Sequence, residues 1–128
     1  MIKNLSEALI LLHSFAEIQK WEVMNIHLMR SASGRQLYYG LIRNLVNQDG
    51  EQLVGSMKEM YCDDGILLTE RGVRLAMRAL EADGEVFVER TDADRRSRRI
   101  LLSQKLQEKM ISHAEVLRKE LSNKDLLF

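Results

Sequence analysis

Two clusters of arginine carry the strongest chemical signal in this 128-residue sequence. Arg71, Arg74 and Arg78 recur at helical spacing between Thr69 and Asp83, and the run Asp94-Arg95-Arg96-Ser97-Arg98-Arg99 places four arginines in five residues. A guanidinium presents a planar fork of N–H donors that fits both guanine edges and phosphate oxygens. On a wheel at 100° per residue, Val73, Ala76, Met77 and Leu80 fall within about 100° of one another and make a core stripe. Arg71, Leu75 and Arg78 stand opposite, with Arg74 on the flank. Arginines on the exposed half of a helix, beginning near its N-terminus, suit entry into a major groove, although a solvated charged face has the same pattern. The second cluster tips the balance. Four like charges on one turn repel one another, and Asp92 and Asp94 neutralise one or two of them. A polyanion satisfies the rest, and arginine suits the negative potential of a narrow minor groove.

Other chemistry is weaker. His13, His27 and His113 are far apart in sequence and have no Cys, Asp or Glu at convincing ligand spacing, so they are expected to be surface or core histidines and no metal site is expected. Cys62 is flanked by Asp63 and Asp64, which raise rather than lower a thiol pKa, and this argues against a redox sensor. There is no glycine-rich phosphate loop, nucleophile elbow or paired-carboxylate signature, so neither an enzyme nor a cofactor is expected. A small metal-dependent or thiol enzyme is the rival from that class.

The elements that must hold the arginines follow from the periodicity. A first helix starts at Asn4 or Ser6 and carries two apolar stripes, Leu5, Leu9, Leu12, Ala16 and Ala8, Leu11, Phe15, Ile18. That is more than one contact needs, and a second subunit is the expected cover. Trp21 to Arg30 continues this helix or forms a short further turn. After Ser31, Ser33 and Gly34, a helix with the face Leu37, Tyr38, Leu41, Ile42, Leu45, Val46 runs to about Asn47, where Asn47-Gln48-Asp49-Gly50 makes a loop. Leu53, Val54, Met57, Met60 and Tyr61 predict another helix, closed by the turn Cys62-Asp63-Asp64-Gly65. Thr69 caps the arginine-bearing helix and Asp83-Gly84 ends it. The period then changes to two: Glu85 to Arg90 and Arg98 to Leu102 form a hairpin around the charged tip Thr91 to Ser97. Ser103 opens a last helix with Leu106, Met110, Ala114, Leu117 and Leu121.

Composition sets the outer bounds. Nineteen basic and nineteen acidic residues give zero net charge, yet Asp49 to Asp64 holds five acids and one lysine, so the neutral total hides an acidic shoulder and a basic wing. Absence of proline and only seven glycines favour helices, and a single cysteine excludes an internal disulfide framework. No apolar run reaches the roughly 20 residues of a membrane span, and no signal-peptide layout is present, so the chain reads as soluble and cytoplasmic, with no membrane partner. The length supports one domain, residues 1–128, with a 31–102 core and dimerisation helices at 1–30 and 103–128. The fold class expected is mainly α with a small β-hairpin: a winged helix-turn-helix.

The run Leu68-Thr69-Glu70-Arg71-Gly72-Val73-Arg74-Leu75-Ala76-Met77-Arg78-Ala79-Leu80-Glu81-Ala82-Asp83-Gly84 resembles a recognition helix of the MarR family. Asp92 to Ser103 resembles that family's wing, with its Asp-Arg-Arg group and Leu-Ser exit. The resemblance implies a homodimeric transcriptional regulator of double-stranded DNA, with terminal helices as the dimer interface. It further implies recognition-helix contacts from Thr69, Arg71, Arg74 and Arg78, wing contacts from Arg95 and Arg96, and Asp94 as the acid that steadies the wing. A small-molecule effector of unknown identity is compatible with it. Glu85 replaces the apolar residue that usually follows the glycine, and the turn Asp63-Asp64-Gly65 is more acidic than the common one. The usual glycine early in the last helix is missing, and that helix ends soon after Leu121. The alternative is a winged-helix module for protein assembly without DNA; the arginine surfaces argue against it, because assembly surfaces favour aromatic and apolar anchors.

Overall fold

The computed structural model describes residues 1–47, 54–56, 60, 67–90 and 98–122. Helix α1 spans Leu5–Asn25 and is followed by a short 3-10 turn, His27–Arg30. Helix α2 spans Ala32–Asn47, strand β1 Val54–Ser56, helix α3 Glu70–Ala82, strands β2 Val86–Arg90 and β3 Arg98–Leu102, and helix α4 Gln104–Ser122. The mainly helical architecture with a β-hairpin is the one expected. The chain divides into two compact units. One joins residues 1–27 to the stretch from Glu108 onward, and the other is Leu28–Gln107.

Within the second unit, α2 packs on β1 and α3, and α3 packs on β2. Leu37, Tyr38 and Leu41 of α2 are fully buried, as are Val73 of α3, Val86 of β2 and Ile100 of β3. Two of the expected members of the α2 face sit outside the core: Ile42 is half-buried and Val46 is exposed. Ser31 caps α2, its Oγ accepting from the Gly34 N–H at 3.0 Å. Gly34 therefore lies inside the first turn rather than before it.

The sheet has the order β1-β3-β2, both pairs antiparallel. Of the helix expected through Leu53, Val54, Met57, Met60 and Tyr61, strand β1 corrects Val54, while Leu53, Met57 and Tyr61 lie outside the described residues. Val54 faces Leu101 and Ser56 faces Arg99, so three residues close the outer edge of β3. An open edge presents unpaired backbone groups, while Gly55 disfavours helix and the β-branched Val54 suits a strand. The apolar spacing there was compatible with both periods. Met60, by contrast, is helical and fully buried. The loop residues 48–50 and the turn 62–65, including Cys62, lie outside the described residues.

In the first unit, Asn4 caps α1, with Oδ1 accepting from the Glu7 N–H at 3.0 Å. The buried line of α1 is Ser14, Ile18 and Glu22, spaced by four. His113 of α4 meets it: Nε2 lies 2.8 Å from Glu22 Oε2, and the ring stacks on Trp21 with centroids 5.7 Å apart. On the apolar stripes, Leu5, Leu9, Leu12 and Phe15 are exposed on the single chain, and only Ile18 is buried. Among the described residues no helix is long and apolar enough to cross a membrane.

Candidate nucleic-acid interface

Helix α3 is fixed at both ends by local chemistry. Thr69 has extended backbone angles and its Oγ1 accepts from the Gly72 N–H at 3.0 Å, which satisfies one of the orphan donors of the first turn. At the other end Gly84 adopts φ 72, the left-handed region that glycine enters without steric cost. The Gly84 N–H reaches the Glu81 carbonyl at 3.1 Å and the Glu85 N–H reaches the Leu80 carbonyl at 2.9 Å, the paired bonds of a Schellman ending. The approach to α3 is tied to α2 where the Leu67 N–H donates to Gln36 Oε1 at 3.1 Å.

Val73, Met77 and Leu80 are buried against the rest of the unit, with Ala76 half-buried beside them. The opposite face therefore points outward, and Arg71, Arg74, Leu75 and Arg78 are all exposed. The helical wheel placed these side chains as the structure does. Among the described residues neither Arg71 nor Arg78 has an ion-pair or hydrogen-bond partner. Arg74 differs: its Nη2 lies 2.6 Å from Glu70 Oε1, one turn earlier, with both side chains more than half exposed. An exposed i,i+4 pair is worth only about 0.3–0.5 kcal/mol, so an incoming anion can displace the carboxylate. This pairing was readable from the spacing of Glu70 and Arg74, and the charge count on the helix overlooked it.

Strands β2 and β3 pair in the register Val86↔Leu102, Val88↔Ile100 and Arg90↔Arg98, and the expected tip, residues 91–97, lies outside the described residues. Val86, Ile100 and Leu102 are buried on one face, while Phe87, Glu89 and Arg99 are exposed on the other. Glu89 stands opposite Arg99 in the register. At the base, the Ser103 N–H donates to the Glu85 carbonyl at 2.9 Å and Lys105 Nζ lies 3.6 Å from Glu85 Oε1. Glu85, in a position expected to be apolar, is thus accommodated by a surface lysine. Ser103 caps α4 by accepting from the Leu106 N–H at 3.0 Å. Asp94, Arg95 and Arg96 fall outside the described residues.

The histidines occupy three different settings. His13 is exposed, 3.6 Å from Glu17, His27 is exposed in the 3-10 turn, and His113 is buried. Among the described residues no group of three or more His, Cys, Asp or Glu side chains is arranged to hold a metal ion.

No protein-family model and no curated protein sequence matches the chain. Solved structures do. The transcriptional regulator PA4135 superposes with a TM-score of 0.57 at 18% identity, over 94% of this chain and 81% of that one. A MarR transcriptional regulator from Methanosarcina mazei Go1 gives 0.56 at 19% identity, over 94% and 80%. Sco3205, a MarR family transcriptional regulator from Streptomyces coelicolor determined in complex with DNA, gives 0.51 at 20% identity, over 97% and 79%. The chain therefore has the winged-helix fold found in MarR-family transcriptional regulators.

Proposed function

We propose that this chain is a sequence-specific DNA-binding transcriptional regulator acting as a homodimer, with α3 in the major groove and the β2–β3 wing in the adjoining minor groove. The observation that carries the reading is the outward face of α3, where Arg71 and Arg78 are exposed and have no partner among the described residues. Arg71, near the start of the helix, is the better candidate for a guanine edge; Arg78, two turns on, is suited to phosphate. The Thr69 hydroxyl accepts from Gly72 and still has its own hydrogen to donate to a phosphate oxygen. Arg74 exchanges Glu70 for phosphate. Arg95 and Arg96 supply the wing contacts and Asp94 steadies them, on the strength of the sequence resemblance. The DNA in the Sco3205 complex supports the reading by analogy of fold.

Arg71→Ala tests it. The side chain is exposed, so melting should change by no more than about 0.5 kcal/mol in stability. Discrimination at one base position per half-site should fall by about 1–3 kcal/mol, measured on sites selected from a random DNA pool. A folded Arg71→Ala protein with the parent's affinity and preferences would remove the basis of the reading and favour the assembly module.

The homodimer rests on α1, where Leu5, Leu9 and Leu12 are 72%, 54% and 60% exposed on the single chain. A contiguous apolar stripe of this length is characteristic of an interface, and a two-fold symmetric one closes on itself. Sedimentation at micromolar concentration should show a dimer; a monomer alone would refute this part.

A further inference from the structure

We infer that Leu75 is a specificity-determining residue that reads a thymine 5-methyl group on the floor of the major groove. The inference deepens the DNA-binding reading above and rests on it. Leu75 is 53% exposed, in the middle of the outward face of α3. It stands one turn after Arg71 and three residues before Arg78, within about 60° of both around the helix axis. A lone exposed leucine is ordinary on a protein surface. This one is bracketed along the helix by two cations free of partners among the described residues, so whatever anion they take brings its own surface against Leu75. Ala79, also exposed, follows Leu75 at i+4. The outward face thus has a basic edge, Arg71, Arg74 and Arg78, and an apolar edge, Leu75 and Ala79.

Double-stranded DNA offers that combination in one place. The phosphates and guanine edges satisfy the basic edge, and the thymine methyl is the apolar feature of the major groove. Leu75 lies about 6 Å along the helix from Arg71, so the thymine it meets falls within about two base-pair steps of the base that Arg71 reads.

Replacement of thymine by deoxyuridine removes the methyl and leaves every Watson–Crick and groove hydrogen-bonding group in place. With the parent protein on its selected site, deoxyuridine at that position in a single half-site should weaken binding about four-fold, the value of one buried methyl, and about fifteen-fold when both half-sites are changed. Leu75→Ala should bind thymine and deoxyuridine equally at that position, while keeping the guanine preference assigned to Arg71 and the parent's melting temperature. Leu75→Gln should shift the preference at that position away from thymine. The inference is overturned if no deoxyuridine replacement affects the parent, if Leu75→Ala retains the parent's methyl sensitivity, or if Leu75→Ala lowers the melting temperature, which would make Leu75 a packing residue. Selection of guanine-containing sites without methyl sensitivity sinks the Leu75 assignment alone. Failure of the parent to select any sequence sinks the regulator reading with it.

Discussion

Replacing His113 with alanine is expected to destabilise the fold by about 3–5 kcal/mol, the range for breaking a buried ionisable pair by removing one member. His113 and Glu22 are 3% and 1% exposed, and the 2.8 Å contact joins α4 to α1 across 91 residues of sequence. The two side chains share one hydrogen bond, whose direction follows the tautomer of the ring. Alanine takes the imidazole partner from the buried Glu22 side chain and removes the ring that stacks on Trp21. The reciprocal change, Glu22→Ala, should cost about 1–3 kcal/mol, the range for taking one partner from a buried hydrogen-bonding group. Replacing both by apolar residues of similar volume, Glu22→Met with His113→Phe, should recover most of the loss, since well-packed hydrophobic pairs commonly match buried ion pairs. Urea unfolding at one fixed protein concentration separates these cases, since any self-association would enter the apparent stability. A His113→Ala protein within 1 kcal/mol of the parent would show that the pair is dispensable.

Gly34→Ala should destabilise by about 3 kcal/mol, although intrinsic helix propensity alone favours alanine over glycine by about 1 kcal/mol. The sign is set by a close approach. A Cβ at Gly34 would stand 2.2 Å from the Leu28 carbonyl oxygen and 2.9 Å from Ser31 Oγ, the atom that caps α2. Backbone oxygen cannot swing aside as a side chain can, so the start of α2 or the 3-10 turn before it has to shift. Because α2 carries Leu37, Tyr38 and Leu41 into the core and Gln36 to the approach of α3, the shift should reach α3. A lower urea midpoint with an unchanged slope is the expected result. An alanine variant as stable as the parent would mean that the close approach relaxes without cost.

The sequence by itself determined the parts whose determinants lie within a few residues of one another. Asn4, Thr69 and Ser103 each cap a helix by accepting from the N–H three residues on, and Gly84 ends α3 through φ 72. The hairpin strands followed from a period-two alternation that the structure reproduces over Val86–Arg90 and Arg98–Leu102. The outward placement of Arg71, Arg74 and Arg78 was equally legible, since 3.6 residues per turn fixes which side chains oppose a buried stripe. Tertiary structure alone decided what depends on residues distant in sequence. Strand β1 exists because β3 has an edge to be paired, and nothing between Val54 and Ser56 announces the partner at Leu101. His113 read as one histidine among three until α1 brought Glu22 and Trp21 to its ring. Gly34 looked like punctuation before a helix, and only the turn at Leu28 makes it a position where a side chain forces the backbone to shift. Local hydrogen bonds and periodicity are written into consecutive residues; edge pairing, burial of a charge pair and backbone close approach arise only when separate segments meet.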